Sequence, residues 1–372
     1  MKINEYKNWL KLVSINGVGP GKLKKLLRQY GNPLNIFKAD NKSLSSLNYL
    51  TPKNIKNILS VRENEFVSTQ LKLLDKYNVR LISIQDEEYP DLLKFIYTPP
   101  ILLYIKGEIL PEDSFSFAIV GTRKATNYGK IQTNKIGFEL AKSGFSIVSG
   151  LAYGIDSVAH TSALKAGGRT IAVCGTGLDV VYPPTNRKLA ENIIRSGALI
   201  SEFPLESKIE PWNFPTRNRI ISGMSRGVLV VEGSKKSGAL ITSKDGLQQD
   251  RDIFALPGNV DSPQSEGPNY LIKLGAKLVT CAKDILEEYE QLTLFSVQVR
   301  GSKNNTIPKS SYKMTDDEGK IYDIIQKNGR NITLDSMVES SSFTVSQLSS
   351  MLLNMEIKGI VKRAPQNHYL LV

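Results

Sequence analysis

Cysteine and histidine are scarce in this sequence of 372 residues. The two cysteines, Cys174 and Cys281, lie far apart, and the two histidines are His160 and His368. A disulfide framework and a zinc cluster both require several such residues at short spacings. The sequence therefore excludes both, and we expect no metal site.

Long apolar runs are also absent. No stretch of about 18 uninterrupted apolar residues occurs, as a membrane-spanning helix would need. The first residues lack the charged and apolar regions of a secretory signal. We expect a cytoplasmic protein without a membrane partner.

Nucleotide-binding fingerprints are incomplete. No apolar run is followed by Gly-x-Gly-x-x-Gly, and Gly175-Thr176-Gly177 lacks the third glycine. Residues Gly17 to Lys22 are superficially similar to a phosphate-binding P-loop, but the spacing differs and Leu23 replaces Ser or Thr. We predict no nucleotide hydrolysis, no cofactor and no catalytic residue.

Positive charge is abundant and unevenly distributed. The net charge is +12, and residues 1–85 alone contain 15 Lys and Arg against 5 Asp and Glu. Such an excess fits a polyanionic partner, although a solvated, lysine-rich helical surface would produce the same bias.

The chain is predicted to contain three domains. Residues 1–85 show helical spacing without strand-like alternation, and residues 315–372 fit three helices and a hairpin, the pattern of a winged helix. Residues 291–314 have the composition of a linker. Between them, residues 86–290 begin with an extended connector (86–115) and continue as a core.

Seven short apolar runs in the core alternate with helical stretches, which predicts an α/β fold with a Rossmann-like, doubly wound, mainly parallel sheet. The runs are Phe117–Val120, Phe145–Val148, Thr170–Cys174, Ala198–Ile200, Val228–Val231, Ile253–Leu256 and Lys277–Val279.

Glycine-rich turns follow the first three of these runs. Ligands of open parallel sheets bind outside the carboxyl ends of the strands. Glycine leaves room for a phosphate there, and Arg123, in Gly121-Thr122-Arg123, carries a fork of donors that suits one. Any single turn could instead serve only tight packing.

The segment Pro211–Gly223 combines aromatic and cationic side chains, Trp212 and Phe214 with Arg217 and Arg219. Bases stack on aromatic rings while guanidinium groups contact phosphates, so this segment suits an unpaired strand. Trp212 could alternatively fill the core. After the fifth run, Lys236 and an N-cap at Ser237 predict an anion site at a helix start.

Several segments of residues 86–290 resemble, in order, the DNA-processing protein A (DprA/Smf) family of bacteria. The matching segments are Ile119–Arg123, Ser149–Asp156, Tyr182–Asn186, Ser201–Pro204, Asn213–Gly223, Ser237–Thr242 and Leu256–Asn259. The resemblance implies a dimeric protein that binds single-stranded DNA and loads the recombinase RecA in natural transformation.

The resemblance also implies residue roles. Arg123 corresponds to the principal phosphate clamp, Phe214 to a stacking surface, Arg217 and Lys236 to backbone contacts, and Gly238 to a position of close approach. Pro211 stands near where some relatives have a lysine, and a loop at 186–188 also matches. The predicted DNA-binding set is Gly121, Thr122, Arg123, Gly150, Lys188, Phe214, Arg217, Asn218, Arg219, Lys236, Ser237 and Gly238.

The flanking segments allow further expectations. Ile15–Leu23 resembles a helix-hairpin-helix module, which would bind DNA as an auxiliary site or serve only structure. The C-terminal domain has a net charge of −1 and favours protein contacts. Gln291–Phe295 resembles a motif that docks on the replication sliding clamp, or is an ordinary amphipathic segment.

Two other functions compete with this interpretation. A nucleotide phosphoribohydrolase on the same fold would need Pro-Gly-Gly-x-Gly-Thr-x-x-Glu, whereas residues 232–238 read Glu-Gly-Ser-Lys-Lys-Ser-Gly, without the catalytic glutamate. A transcription factor that uses the winged helix would prefer duplex DNA. We predict a binding protein and not an enzyme.

Overall fold

A computed structural model describes residues 3–60, 65–289, 315–327, 331–341, 343–357, 360–364 and 368–371. The chain forms two compact units, Met1–Ser296 and Val297–Val372. The predicted linker 291–314, which includes the Gln291–Phe295 motif, lies outside the described residues.

Helices with one apolar face each form the N-terminal region. Within the described residues they are α1 (Ile3–Val13), α2 (Pro20–Tyr30), α3 (Pro33–Lys38), α4 (Asn41–Ser45), α5 (Pro52–Leu59) and α6 (Glu65–Tyr77). Proline suits a first helical turn because its fixed φ is helical and its missing N–H has no partner there. Leu23, Leu26 and Leu27 of α2 are buried, as their spacing predicts.

The Gly17 turn before α2 is anchored to α5. Gly17 has φ of +77°, which glycine tolerates best. Asn54 Nδ2 donates to the Gly17 carbonyl at 2.8 Å, and Lys22 Nζ donates to Asn54 Oδ1 at 2.7 Å. The Lys22 ammonium group, one of the N-terminal positive charges, is thus hydrogen-bonded within the protein.

A mixed sheet forms the centre of the first unit. Its strands in the described residues are β1 (Arg80–Ser83), β2 (Leu102–Gly107), β3 (Ser116–Val120), β4 (Ser146–Ser149), β5 (Thr170–Val173), β6 (Gly197–Ser201), β7 (Gly227–Val230), β8 (Asp252–Ala255) and β9 (Lys277–Leu278). Their order is β1-β2-β6-β5-β4-β3-β7-β8-β9. Strands β1 and β2 are antiparallel additions to an otherwise parallel sheet.

The Rossmann-like prediction is confirmed, since all seven apolar runs coincide with strands β3 to β9 within a residue or two. The expectation that residues 1–85 contain no strand is wrong at their end, where β1 lies. The connector 86–115, predicted to be extended, contains β2 (Leu102–Gly107). Both strands are antiparallel and extend the sheet at one edge. They were not predicted as strands because they lack the strand-then-helix alternation that identifies the parallel strands in the sequence.

Helices cover both faces of this sheet. They are α7 (Asp91–Lys94), α8 (Asn127–Lys142), α9 (Ile155–Lys165), α10 (Arg187–Ser196), α11 (Asn213–Met224), α12 (Gly238–Gln248), α13 (Glu266–Lys273) and α14 (Ala282–Leu286). One buried apolar cluster joins α8, α9 and α14 to the sheet, and another joins α7, α11, α12 and α13 to it.

The N-terminal helices share a third apolar cluster with the sheet. Trp9 and Leu26 belong to the same buried cluster as Leu199 and Leu205. Gln70 of α6 is buried and exchanges two hydrogen bonds of 3.0 Å with the backbone of Leu205. The helical region and the core are therefore packed as one body.

The second unit has a winged-helix pattern. In its described residues it contains α15 (Asp316–Lys327), β10 (Asn331–Thr333), α16 (Leu334–Ser340), α17 (Val345–Ile357), β11 (Val361–Ala364) and β12 (His368–Leu371). The three predicted helices and the hairpin are present, and β10 adds a third strand in the order β10-β12-β11.

No helix in the described part of the chain has both the length and the apolar character needed to cross a membrane.

Candidate nucleic-acid interface

The topology of the sheet creates a crevice between β3 and β7. From β3 the chain winds through β4 and β5 to β6, and then crosses back to β7 on the other side of β3. Loops that leave two neighbouring strands in opposite directions open a crevice at the carboxyl edge, where ligands of open α/β sheets bind. We call this crevice the switch-point groove; its volume is 390 Å³. The residues that line it include Gly121, Thr122, Arg123, Ala152, Asp156, Phe214, Arg217, Asn218, Ser237 and Gly238.

The loop after β3 carries Arg123 and is fixed by Glu232, which follows β7. Thr122 N donates to the Glu232 carbonyl at 2.7 Å. The buried Glu232 carboxylate accepts hydrogen bonds from Thr126 N at 2.9 Å and from Thr126 Oγ1. The backbone carbonyl and the carboxylate of Glu232 thus hold this loop in place, while the Arg123 side chain is exposed.

Arg123 lies over an aromatic ring. Its guanidinium carbon is 5.4 Å from the centroid of the Phe214 ring, within the range of a cation–π contact. It forms no ion pair among the described residues. A cation positioned by a neutral ring and left without a carboxylate partner is available to an anionic ligand.

Phe214 belongs to a larger aromatic group that the sequence analysis missed. Tyr182 packs against Phe214 with ring centroids 5.4 Å apart, and Tyr153 lines the same small cavity beside Arg123. Tyr182 and Tyr153 remain 42% and 46% exposed. Tyr153 lies in the segment Ser149–Asp156 and Tyr182 in Tyr182–Asn186, two segments that the sequence had already indicated. An aromatic residue beside each of these turns could have predicted that it faces the groove.

Arg217 does not fit the role of a surface phosphate contact. Its side chain is buried, and Nη1 donates to the carbonyl of Gly150 at 2.8 Å and to that of Val173. Burial lowers the pKa of Arg217, and the nearby Asp156 opposes this change. Arg217 therefore supports the groove from within by donating hydrogen bonds to backbone carbonyls. The sequence alone does not show whether an arginine at this position is buried or contacts a ligand.

Gly150 separates two buried charges. A methyl group at this position would lie 2.6 Å from Arg217 Nη2 and 2.6 Å from Asp156 Oδ2. Asp156 also accepts a hydrogen bond from Ala152 N at 3.3 Å. Burial raises the pKa of Asp156, whereas Arg217 and the backbone N–H groups lower it. Glycine is thus required for packing beneath the groove.

The N-terminus of α12 forms the opposite wall. Ser237 occupies the N-cap position with extended backbone angles, but its side chain makes no capping hydrogen bond. The first backbone N–H groups of a helix have no intrahelical partner and attract anions. Gly238 is exposed, and a methyl group there would meet only Asn218 Nδ2, at 3.9 Å. This wall is open to a close ligand.

Other predicted residues lie apart from the groove or are engaged elsewhere. Arg219 forms a two-pronged ion pair with Glu202, at 2.9 and 2.7 Å, so the expectation that it contacts phosphates does not fit the geometry. Lys188 and Lys236 are exposed but do not line the groove. Trp212 is 62% exposed, and the alternative that it fills the core is wrong.

The chain matches three family models. Residues 80–290 match DNA recombination-mediator protein A, residues 308–367 match the DprA winged helix domain, and residues 10–62 match the SAM-like helix-hairpin-helix tandem.

Several relatives agree with these matches. Protein Smf from Synechocystis is 36% identical over 99% of both chains. DNA processing protein DprA from Bacillus subtilis is 46% identical over 56% of this chain and 71% of its own length.

Solved structures are also similar. DNA processing protein A from Streptococcus pneumoniae has a TM-score of 0.59 at 33% identity and covers 77% of this chain and 98% of its own. Its Helicobacter pylori counterpart has a TM-score of 0.52 at 29% identity, over 57% of this chain and 96% of its own. With its sheet topology, its groove and these matches, the chain belongs to the DNA recombination-mediator protein A family, known as DprA or Smf.

Proposed function

We propose that this chain binds single-stranded DNA in the switch-point groove and acts in DNA processing. The observation that carries the proposal is the exposed Arg123 guanidinium, which lies over the Phe214 ring opposite the N-terminus of α12 and has no ion-pair partner in the described part of the chain. A cation and helix N–H groups suit phosphates, and exposed rings suit unstacked bases. The Helicobacter pylori relative supports this, since its structure is described by a single-stranded DNA binding mode.

The first prediction concerns Arg123→Ala. Loss of the guanidinium removes one phosphate contact, so the affinity for single-stranded DNA falls and the slope of log K against log salt decreases by about 0.7. Fluorescence anisotropy across a salt series measures both quantities, with duplex DNA in parallel.

Arg195→Ala is the matched control, because Arg195 is exposed on α10 and does not line the groove. Unchanged affinity in Arg123→Ala would remove this residue from the site. A strong preference of the wild-type protein for duplex DNA would instead favour the transcription-factor interpretation.

The finer role is loading of RecA onto incoming single strands during natural transformation, with the protein acting as a homodimer in the cytoplasm. This role is supported by family membership. It is tested by measuring RecA ATP hydrolysis on single strands covered with single-strand binding protein, with and without the chain. The same rate in both conditions would contradict it.

The proposal includes binding without catalysis. Glu232, the carboxylate near the phosphoribohydrolase position, is buried and bonded to Thr126. Among the described residues, no three His, Cys, Asp or Glu side chains gather as metal ligands. Incubation with nucleoside monophosphates tests the enzymatic alternative, and released free base would support it. Sliding-clamp binding through Gln291–Phe295 stays a prediction.

A further inference from the structure

A second depression lies between α8 and α9 on the surface of the core. We call it the α8–α9 furrow. It has a volume of 490 Å³, and its walls include Lys130, Ile131 and Lys135 of α8 and Val158, Thr161 and Lys165 of α9. Nothing in the binding role proposed above uses it.

The furrow is cationic. Lys130, Lys135 and Lys165 are all exposed, and none of them forms an ion pair within the described residues. No carboxylate is among the lining side chains. Three unpaired positive charges along one depression favour an extended anionic ligand.

The furrow also offers apolar surface between its charges. Ile131, the residue after Lys130 on α8, is 64% exposed. An exposed aliphatic side chain of this size can cover the face of a base while neighbouring ammonium groups contact phosphates.

The furrow adjoins the switch-point groove. Ala152 and Asp156 line the groove, and Ser157 and Val158, the next residues along the chain, line the furrow. On the other side, the Arg123 loop leads directly into α8. The start of α9 therefore contributes residues to both depressions, and this is where a bound strand would pass from one to the other.

Close packing fixes α8 against α9. A methyl group at Gly137 of α8 would lie 2.2 Å from Ser162 Oγ of α9, so the two helices approach closely at this point. From Ser157 to Lys165, α9 advances about 12 Å at 1.5 Å per residue. This length accommodates a few nucleotides of an extended strand.

We propose that a single DNA strand bound in the switch-point groove continues along the α8–α9 furrow, with its phosphates at the three lysines. This inference rests on the proposed single-stranded DNA binding. Continuity with the groove favours a strand over an acidic protein segment, which would need no connection to Arg123.

The test is the triple variant Lys130→Ala, Lys135→Ala, Lys165→Ala in the full chain. Arg195→Ala, Lys244→Ala, Lys273→Ala is the control, because it removes the same charge from exposed positions outside both depressions. Affinity for oligo(dT) is measured across a salt series at two lengths, about 6 and about 20 nucleotides, within and beyond the footprint of one small binding domain.

We expect the furrow variant to bind the short oligonucleotide like the wild type and the long one more weakly. Its salt slope on the long oligonucleotide should decrease by about 2, from about 0.7 for each lost phosphate contact. The control should lose much less. Equal binding of the long oligonucleotide by the furrow variant and the control would overturn the inference, while a retained effect of Arg123→Ala would preserve the proposed function. Absence of binding in the wild type would overturn both.

If the furrow variant binds both lengths normally but no longer retains an immobilised poly-glutamate peptide that the control retains, the furrow binds an acidic protein segment. That result also overturns the inference.

Discussion

At the scale of single residues, a buried arginine and an exposed arginine perform opposite tasks in one groove. Arg123 is held by a loop that bonds to Glu232 and is left free for a ligand. Arg217, on α11, is buried, and its guanidinium donates hydrogen bonds to the carbonyls of Gly150 and Val173. Arginine often contacts DNA, so the residue type alone suits both positions. Burial shows that Arg123 can contact a ligand whereas Arg217 supports the protein backbone.

Gly150→Ala tests this support. A methyl group would press on both Arg217 and Asp156, and overpacking of a tight site costs about 1 to 3 kcal/mol. We expect a lower unfolding midpoint in thermal denaturation of the first unit.

Gly238→Ala is the matched control for Gly150→Ala, because its methyl group meets only Asn218 Nδ2, at 3.9 Å. Its stability should stay within about 0.5 kcal/mol of the wild type. Equal stability of the two variants would show that the space beneath the groove is not tightly filled.

At the scale of elements, the strands were easier to predict than the site. Parallel strands β3 to β8 are buried on both faces and therefore read as continuous apolar runs, such as Phe117–Val120. The antiparallel strand Arg80–Ser83 lies at the edge of the sheet and begins only three residues after Tyr77, the last residue of α6, so no long turn separates it from the helical region. Side chains such as Tyr182, brought to the groove from a separate loop, depend on tertiary packing that no local pattern contains.

A buried histidine between α9 and β5 should make the free energy of unfolding depend on pH. His160 is fully buried and its Nδ1 lies 2.7 Å from Thr170 Oγ1. Burial, and then the charge of Arg217, lower the pKa of His160 to about 3. The unfolded state, with a pKa near 6.5, thus binds the proton first as the pH falls, and stability decreases between about pH 6.5 and 3.

We expect His160→Gln to reduce this dependence by at most about 1.4 kcal/mol per pH unit. Urea denaturation from pH 4 to 7 measures it for both proteins. The difference between them isolates His160 from the neighbouring Asp156, whose raised pKa acts in the opposite direction. Parallel curves would contradict the assignment.

At the scale of the whole molecule, the N-terminal helices are part of the core rather than an appendage. The third apolar cluster crosses between them, and Gln70 satisfies both backbone groups of Leu205.

Gln70→Ala would leave those groups buried without partners, which costs about 1 to 3 kcal/mol. Hydrogen exchange should then show lower protection in both the helices and β6, since they unfold together. Loss confined to α6 would indicate independent folding. Ser68→Ala, an exposed change on the same helix, should alter neither.

The position of β3 inside the sheet has a consequence for assembly. Five strands lie on one side of it and three on the other among the described residues. At about 4.8 Å per strand, the two borders of the sheet lie roughly 24 and 14 Å from β3, which flanks the crevice. A partner protein that pairs with β1 or β9 would therefore contact the sheet at a distance from a DNA strand bound in the crevice.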